Sequence, residues 1–367
     1  MNSYLLNARR AFRSEEQGRE SDWTFDLSTL TFADAKYIAK NGIYAFRKSP
    51  DGHLLLLPRS YYRGSSSRSY MLRYDTGLKA YDPEHQWDLS CLDITAVGSS
   101  NSSISNGTYK TYYCFRTMDL ATDGSRLVTM LYTTQNNVSG HFMASMKLGL
   151  PWDVTYDSSN DGVSLSSRLF ATANIGYSDF AKGGRNEITL SPYASPAAYS
   201  DCAISMLVAG DGYHVYILSD ASGSEGSIRQ YVLDDKNDGS TIRTANVEFS
   251  VGMYSTTFGG VSSHYHDMAM SPDGRRLFVL GSSDYAQTSL SSNSDGSWIY
   301  EFEVKTPYEL TTAKPVQRFN LTNVQPSTLK GANLTAMFID GHNGGDRLFL
   351  HAPHQSMLYQ FNMTSEG

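Results

Sequence analysis

The sequence predicts an all-β protein folded as a single β-propeller, with five blades of four strands each. Three observations support this fold: a repeated Asp-Gly turn, a repeated column of apolar residues after each turn, and a chain length that completes the repeat. Charged residues make up only 18% of the 367 residues, whereas glycine and tyrosine are abundant. This composition is typical of many short strands joined by polar turns.

The repeated turn consists of an apolar stretch, then Asp-Gly, then a second apolar run. Asp-Gly between two apolar runs is a strong signal for a β-hairpin, because glycine readily adopts the positive φ that a tight turn needs. The turn aspartates are Asp51, Asp123, Asp211, Asp273 and Asp340, at intervals of 72, 88, 62 and 67 residues. Intervals of this length hold four short strands and their connections. We interpret the surplus in the second interval as a long loop over residues 175–198, and a sixth blade is the alternative.

A short strand follows each turn and carries two apolar positions with a polar or small residue between them. The first position is Met71, Met143, Ile228, Ile299 or Leu358, and the second is Tyr74, Met146, Tyr231, Phe302 or Phe361. The spacing within this strand is constant while the loops vary in length. A β-sandwich also uses many short strands, but it predicts no five-fold register of this kind.

The two ends of the chain are expected to behave differently. The fifth unit ends after its third strand, so we predict that residues 23–32 supply its outermost strand and remove an exposed edge. Residues 1–22 do not fit the repeat and form a separate segment beside a propeller domain over 23–367. A short helical stripe containing Leu5, Leu6, Ala8 and Phe12 is expected in this segment. We expect it to act as an arm that docks on a neighbouring subunit, with packing on the propeller itself as the alternative.

A further landmark occurs twice, five residues after the second apolar position of the short strand. The two copies are Pro151-Trp152-Asp153-Val154 and Pro307-Tyr308-Glu309-Leu310. Together with the Asp-Gly hairpins they resemble a propeller repeat of many bacteriophage and bacterial proteins of unknown function. In phages, such propellers occur in tail parts, including the nozzle of short tails, and in host-contacting proteins.

The resemblance implies a structural protein of a phage particle that is not an enzyme. Its location would be the virion, and its partners would be copies of itself and other virion proteins. A glycan or receptor on the host surface would be a further partner. Neither a cofactor nor a metal ion is expected for such a role.

The alternative function is that of a glycan-active or glycan-binding propeller, because five-bladed propellers also host glycoside hydrolases. Their mechanism needs two carboxylates that flank one sugar bond. Asp119, Asp201 and Asp267 precede three of the turns and would approach the central axis at different heights. We interpret them as turn caps or solvated groups and assign no catalytic residue. The candidate platforms for sugar stacking are Tyr61, Tyr62, Tyr177, Phe180 and Tyr193.

Other chemistries have little support in the sequence. His264 and His266 would share one face of a strand, but no third ligand has a suitable spacing. The segments 157–162 and 234–239 resemble calcium loops, but both lack an acid at the third position, and Arg168 and Ala245 occupy the twelfth position in place of glutamate, so we interpret them as turns. A net charge of −7 without dense Lys/Arg runs argues against nucleic acid. Three widely spaced cysteines indicate neither a zinc site nor a disulfide framework, and no apolar stretch is long enough to enter a membrane.

Overall fold

The computed structural model describes a little under half of the chain, and every structural statement below refers to this part. The described residues are 27–37, 43–48, 54–58, 69–75, 93–102, 112–135, 138–147, 202–220, 227–238, 247–250, 264–282, 296–321, 334–340, 346–352 and 357–363, with the single positions 324, 326, 329, 332 and 355. These residues are strands and turns, apart from two short 3-10 helices at Leu27–Thr29 and Leu310–Thr312. The predicted all-β class is therefore confirmed. No helix in the described ranges has the length and apolarity needed to cross a membrane.

The described strands form five antiparallel sheets, numbered here along the chain. Sheet 1 consists of β2 (Ile43–Lys48), β3 (Leu54–Pro58), β4 (Ser69–Asp75) and β5 (Asp93–Ser102). Sheet 2 consists of β6 (Tyr112–Leu120), β7 (Arg126–Gln135) and β8 (Val138–Lys147). Sheet 3 consists of β9 (Cys202–Val208), β10 (His214–Asp220), β11 (Ser227–Val232) and β12 (Val247–Ser250). Sheet 4 consists of β13 (His264–Met270), β14 (Arg276–Ser282), β15 (Ser297–Val304) and β16 (Ala313–Asn320). Sheet 5 consists of β17 (Ala336–Asp340), β18 (Asp346–Ala352), β19 (Met357–Met363) and β1 (Thr31–Tyr37).

The first strand of each sheet contacts the first strands of its neighbours. β2 contacts β6, β6 contacts β9, β9 contacts β13, β13 contacts β17, and β17 contacts β2 again. The apolar core lies between neighbouring sheets: one buried cluster joins sheets 2 and 3, a second joins sheets 3 and 4, and a third joins sheets 4 and 5. Radially arranged sheets that pack on one another around their first strands are the hallmark of a propeller-like fold.

Three Asp-Gly turns lie in the described ranges, and they share one geometry. Their glycines have φ values of 65°, 72° and 70°, in the left-handed region that glycine tolerates. In each turn, the carboxylate of the aspartate also accepts a hydrogen bond from the backbone N–H two residues later. These pairs are Asp123 with Ser125 at 2.9 Å, Asp211 with Tyr213 at 2.9 Å and Asp273 with Arg275 at 3.1 Å. Asp340 is the last residue of β17, whereas Asp51 lies outside the described residues.

The two ends of the sheets differ in their connections. First and second strands are joined by five residues in all five sheets: 49–53, 121–125, 209–213, 271–275 and 341–345. We call this the turn end. At the opposite end, second and third strands are joined by two residues in sheet 2 but by fourteen in sheet 4. This opposite end, where β9, β13 and β17 begin, is called the open end.

The third strands carry the two apolar columns in matching register. Tyr231 lies opposite Val215, and Phe302 lies opposite Leu277. Phe361 lies opposite Leu348. In sheets 3, 4 and 5 both columns are buried, and so are the polar residues between them, which are Gln230, Glu301 and Gln360. Glu301 is paired with Arg276 at 2.8 Å and accepts a hydrogen bond from Gln317 at 2.7 Å.

The N-terminal segment joins the last sheet, but later in the sequence than predicted. The strand was expected at residues 23–32, whereas β1 begins at Thr31 and pairs antiparallel with β19 up to the pair Tyr37–Met357. Residues Leu27–Thr29 instead form a 3-10 helix with Leu27 and Leu30 buried. A spacing of three residues places two side chains on the same face of a 3-10 turn, which explains the shift. The helical arm predicted over residues 1–22, with Leu5, Leu6, Ala8 and Phe12, lies outside the described residues.

We expect removal of residues 1–37 to destabilise the protein by about 3–6 kcal/mol, because it takes two buried leucines out of the core between sheets 4 and 5. It also leaves the edge of β19 unpaired. Removal of residues 1–26 is the matched control, since it keeps both leucines and β1. Thermal melting followed by circular dichroism measures the difference, and equal melting temperatures for the two truncated proteins would contradict the role given to β1.

Candidate functional site

Asp119 lies near the end of β6, where it is almost completely buried. Its carboxylate accepts a hydrogen bond from the N–H of Leu120 at 2.8 Å. Its other oxygen accepts one from the N–H of Val208 in β9 at 2.7 Å. The side chain therefore ties the first strand of sheet 2 to the first strand of sheet 3.

Asp267 has the same role in sheet 4, with a fully buried side chain. It accepts hydrogen bonds from the N–H of Met268 at 2.9 Å and from the hydroxyl of Ser205 in β9 at 2.6 Å. The N–H of Met337 in β17 donates to its second oxygen at 2.8 Å. One carboxylate thus joins the first strands of sheets 3, 4 and 5.

The interpretation of these two acids as turn caps or solvated groups is wrong, because both are buried links between sheets. Sequence reasoning missed these links because the backbone donors of the neighbouring strands, Val208 and Met337, lie 89 and 70 positions away from the acids in the sequence. Asp201, the third acid, lies outside the described residues.

The Pro-Tyr-Glu-Leu segment of sheet 4 folds back onto its own Asp-Gly turn. Tyr308 has a φ of 66°, which is rare for an aromatic residue, and its N–H donates to the carbonyl of Gly274 at 3.0 Å. Its hydroxyl donates to the carbonyl of Pro272. The ring covers Gly274 so closely that a Cβ atom there would overlap it. Only glycine fits beneath this ring.

The other side of the same segment contacts sheet 3. The hydroxyl of Tyr216 donates to the carbonyl of Tyr308 at 2.6 Å, and the ring of Tyr308 stacks on His214 with centroids 5.8 Å apart. Gln230 accepts a hydrogen bond from the N–H of Leu310 at 2.8 Å and donates to Glu309 at 3.2 Å. We call these six residues the clasp between sheets 3 and 4.

His214 is the clasp residue that interacts with two carboxylates, because one carboxylate lies near each of its ring nitrogens. Nδ1 is 2.6 Å from Asp211 Oδ2, and Nε2 is 3.7 Å from Glu309 Oε1. The hydrogen bond with Asp211 is the main cause that raises the pKa of His214; burial opposes the rise, and the charges of Asp211 and Glu309 add to it. Burial alone would raise the pKa of Asp211, but hydrogen bonds from His214 and from the N–H groups of Tyr213 and His214 lower it overall.

The two tyrosines of the clasp stay neutral across the physiological range. Burial is the main cause that raises the pKa of Tyr308 to about 12, with a contribution from the charges of Asp211 and Asp273. Burial also raises the pKa of Tyr216, strengthened by Asp211 and Glu309. Their hydroxyls therefore remain hydrogen-bond donors throughout the physiological pH range.

A second clasp joins sheets 2 and 3 without the Pro-aromatic motif. Asn237 follows Tyr231 by six residues, as Tyr308 follows Phe302, and it has a φ of 64°. Its N–H donates to the carbonyl of Gly212 at 2.7 Å, and its side chain accepts hydrogen bonds from the N–H and hydroxyl of Thr122 in sheet 2. Asp238 pairs with Arg126 of sheet 2 at 3.0 Å.

Sequence reasoning missed this second clasp because it looked for proline and an aromatic residue at this offset. The usable signal was an asparagine at the same offset, since asparagine tolerates positive φ better than most residues. The matching landmarks of sheet 2, Trp152 and Asp153, lie outside the described residues. The same holds for the predicted stacking aromatics Tyr61, Tyr62, Tyr177, Phe180 and Tyr193.

His264 and His266 in β13 are the two histidines that the sequence indicates as candidate metal ligands. His266 is the bulged residue of this strand, is largely buried, and has Nε2 2.7 Å from the hydroxyl of Ser282. Within the described ranges, no group of three or more His, Cys, Asp or Glu side chains is placed to hold a metal ion. His264 pairs with Ser282 in the backbone register.

The fold is similar to that of several solved structures. A thermostable family-43 glycoside hydrolase aligns with a TM-score of 0.44 and 8% identity, over 91% of this chain and 91% of that chain. A structure from a family of mannoside phosphorylases, which contains glycoside hydrolases that target β-1,2 mannosidic linkages in Candida mannan, has a TM-score of 0.38 and 11% identity, over 94% and 92%. A glycosyl hydrolase from Bacteroides ovatus has a TM-score of 0.37 and 11% identity, over 94% and 92%. No protein-family model and no curated protein matches the sequence.

These similarities contradict the prediction that the chain is not an enzyme, because each of the three structures is described as a glycoside hydrolase or as part of a family that contains them. The likeness concerns the fold. It assigns neither a substrate nor a catalytic residue to this chain.

We expect Asp267→Ala to destabilise the protein by about 2–4 kcal/mol, because the buried N–H of Met337 and the hydroxyl of Ser205 lose their acceptor. Asp34→Ala is the matched control, since Asp34 also accepts a hydrogen bond from the following N–H but lies in the outermost strand. We expect it to cost less than about 1 kcal/mol. Urea unfolding of both variants measures the difference. Equal losses of unfolding free energy would show that the hydrogen bonds of Asp267 to neighbouring sheets contribute little.

We expect Gly274→Ala to cost more than about 2 kcal/mol, because the new Cβ combines the strain of positive φ with overlap of the Tyr308 ring. In a Tyr308→Ala background the overlap is gone, so the same substitution should cost only the roughly 1–2 kcal/mol of backbone strain. A double-mutant cycle by urea unfolding tests this. An identical cost in both backgrounds would mean that the ring does not constrain the turn.

Proposed function

We propose that this chain is a five-bladed β-propeller that binds or cleaves carbohydrate at its open end. The five-fold count rests on the contacts among the first strands, which return from sheet 5 to sheet 1. It also rests on the recurrence of a five-residue connection between first and second strands in every sheet. Residues 23–367 form the propeller domain in this proposal, with β1 completing the fifth blade.

The observation that carries the functional proposal is the difference between the two ends of the sheets. At the turn end, short turns use their own side chains for internal hydrogen bonds, and the clasp residues are committed to neighbouring sheets. At the open end, the strands are joined by connections of very different length. Variable loops on a rigid scaffold are where binding and catalytic groups are usually found.

The sequence of the two open-end connections that flank β13 and β14 favours a neutral, polyhydroxylated ligand. Residues 251–263, between sheets 3 and 4, and residues 283–296, between β14 and β15, contain no lysine or arginine. They are rich in serine, threonine and glycine, with the aromatic residues Tyr254, Phe258 and Tyr285. Hydroxyl and amide groups can hydrogen-bond sugar hydroxyls, and aromatic rings can stack on the apolar face of a sugar ring.

Asp119 and Asp267 are poor candidates for the carboxylate pair of a glycoside hydrolase. Both are buried, and their oxygens are held by backbone N–H groups of neighbouring strands. A hydrolytic activity would therefore have to use other acids. The two in the connection between β14 and β15 are Asp284 and Asp295.

The virion role stays a prediction, as do self-association, virion partners and a location in the particle. The resemblance to phage propellers depends on the Pro-Tyr-Glu-Leu segment, and in this chain that segment makes contacts between sheets 3 and 4. A structural requirement within one chain is enough to account for the motif.

The proposal predicts that the full-length protein binds or cleaves at least one member of a broad panel of oligosaccharides and polysaccharides. Tyr285→Ala should weaken binding or lower kcat/KM roughly tenfold, through loss of one stacking contact. Tyr213→Ala is the control, because Tyr213 is exposed at the turn end. Glycan-array binding, calorimetry and release of reducing sugar are the measurements. Failure to bind or cleave any glycan, or an equal loss in the Tyr213 variant, would refute the proposal.

A further inference from the structure

We propose that His214 is a pH-operated latch between sheets 3 and 4, which holds the two sheets together when its imidazole is protonated and relaxes their contact when it is neutral. The basis is the position of one imidazole between carboxylates from two different sheets. Asp211 belongs to the turn of sheet 3, and Glu309 belongs to the segment that follows sheet 4's third strand.

Among the groups that face one another in the clasp, we assign the change of charge to the imidazole of His214. Its own strand supplies Tyr216 and its own turn supplies Asp211, while sheet 4 supplies Tyr308 and Glu309. Lys236 packs against Gly212 in the turn of sheet 3. Both tyrosines have raised pKa values and stay neutral. Glu309 and Asp211 present negative charge to the ring from two directions.

A protonated imidazole donates from both nitrogens and carries the positive charge that both carboxylates require. When it is neutral, one N–H remains for Asp211, but the attraction to Glu309 is lost. The two carboxylates then face the same ring without a compensating charge. The hydrogen bonds from Tyr216 to Tyr308 and from Leu310 to Gln230 involve no charge and persist, so the sheets stay in contact while the latch opens.

The pH window follows from the signs of the shifts. The pKa of His214 is raised above its ordinary value of 6.5, so its stabilising contribution is fully present below that value and is lost as pH rises through the higher folded-state value. The pKa of Asp211 is lowered from 3.8, so its contribution is present above 3.8 and is lost only in stronger acid. The latch is therefore closed below pH 6.5 and opens as the pH rises through the folded-state pKa of His214, which lies above 6.5.

The latch differs from a purely structural contact in its pH dependence. Glu309 is partly exposed, so solvent screens its interaction with His214, and we expect a modest effect. The matched variants are His214→Gln, Glu309→Gln and the double variant, which keep the size and hydrogen-bonding capacity of the side chains. Glu309→Gln also retains a carbonyl oxygen that can accept the hydrogen bond from Gln230.

The test is a double-mutant cycle on the full chain, with the unfolding equilibrium constant measured in urea at pH 5.5 and at pH 9. We expect the coupling between positions 214 and 309 to be about threefold at pH 5.5 and to fall to about onefold at pH 9. In the same protein, the NMR titration of the His214 ring should have its midpoint above 6.5, and Glu309→Gln should lower that midpoint. Coupling that is equal at the two pH values, or a midpoint that Glu309→Gln leaves unchanged, would overturn the latch. Failure of one variant to fold leaves the ring titration of the native protein as the deciding measurement, and a midpoint at or below 6.5 would also overturn it.

Discussion

The constraint on which the rest of the structure depends is the satisfaction of backbone N–H groups along the first strands. Each first strand is the edge of its own sheet, and Val208 and Met337, which belong to two of these strands, are buried. Buried backbone donors need an acceptor. Asp119 and Asp267 provide it for Val208 and Met337. Because each carboxylate belongs to one sheet and its donor to the next, satisfying the backbone also fixes how neighbouring sheets are placed.

At the turn end, single residues again combine a backbone hydrogen bond within their own sheet with a side-chain contact to a neighbouring sheet, but the residue types are different. Tyr308 and Asn237 hold equivalent positions, adopt the same left-handed backbone conformation and donate to the glycine carbonyl of their own turn. One then reaches the preceding sheet through an aromatic ring and a neighbouring glutamate, and the other through an amide and an aspartate. Backbone geometry is therefore the common requirement. The side chain is free to vary as long as it reaches the adjacent sheet.

The sequence was sufficient for the features that depend on local rules. Asp-Gly pairs and the apolar columns follow from turn geometry and strand alternation, so the register of Tyr231 and Phe302 could be predicted from spacing alone. The links made by Asp119 and Asp267 could not, because their backbone partners Val208 and Met337 lie 89 and 70 positions away in the sequence. The start of β1 was missed for a different reason, since Leu27 and Leu30 fit a strand in composition but a 3-10 turn in spacing. The clasps could not be predicted because they join residues about 80–115 positions apart in sequence.

Pairing of β1 with β19 has a consequence for the order of folding. The hydroxyl of Thr31 donates to the carbonyl of Asn362 at 3.3 Å, across a separation of 331 residues. Hairpins within one sheet close short loops and can form as soon as their residues leave the ribosome, whereas this pair must wait until the residues up to Asn362 have been synthesised. β1 therefore stays without its partner for longer than any hairpin strand, and misassembly between nascent molecules through this strand is most favoured during that interval.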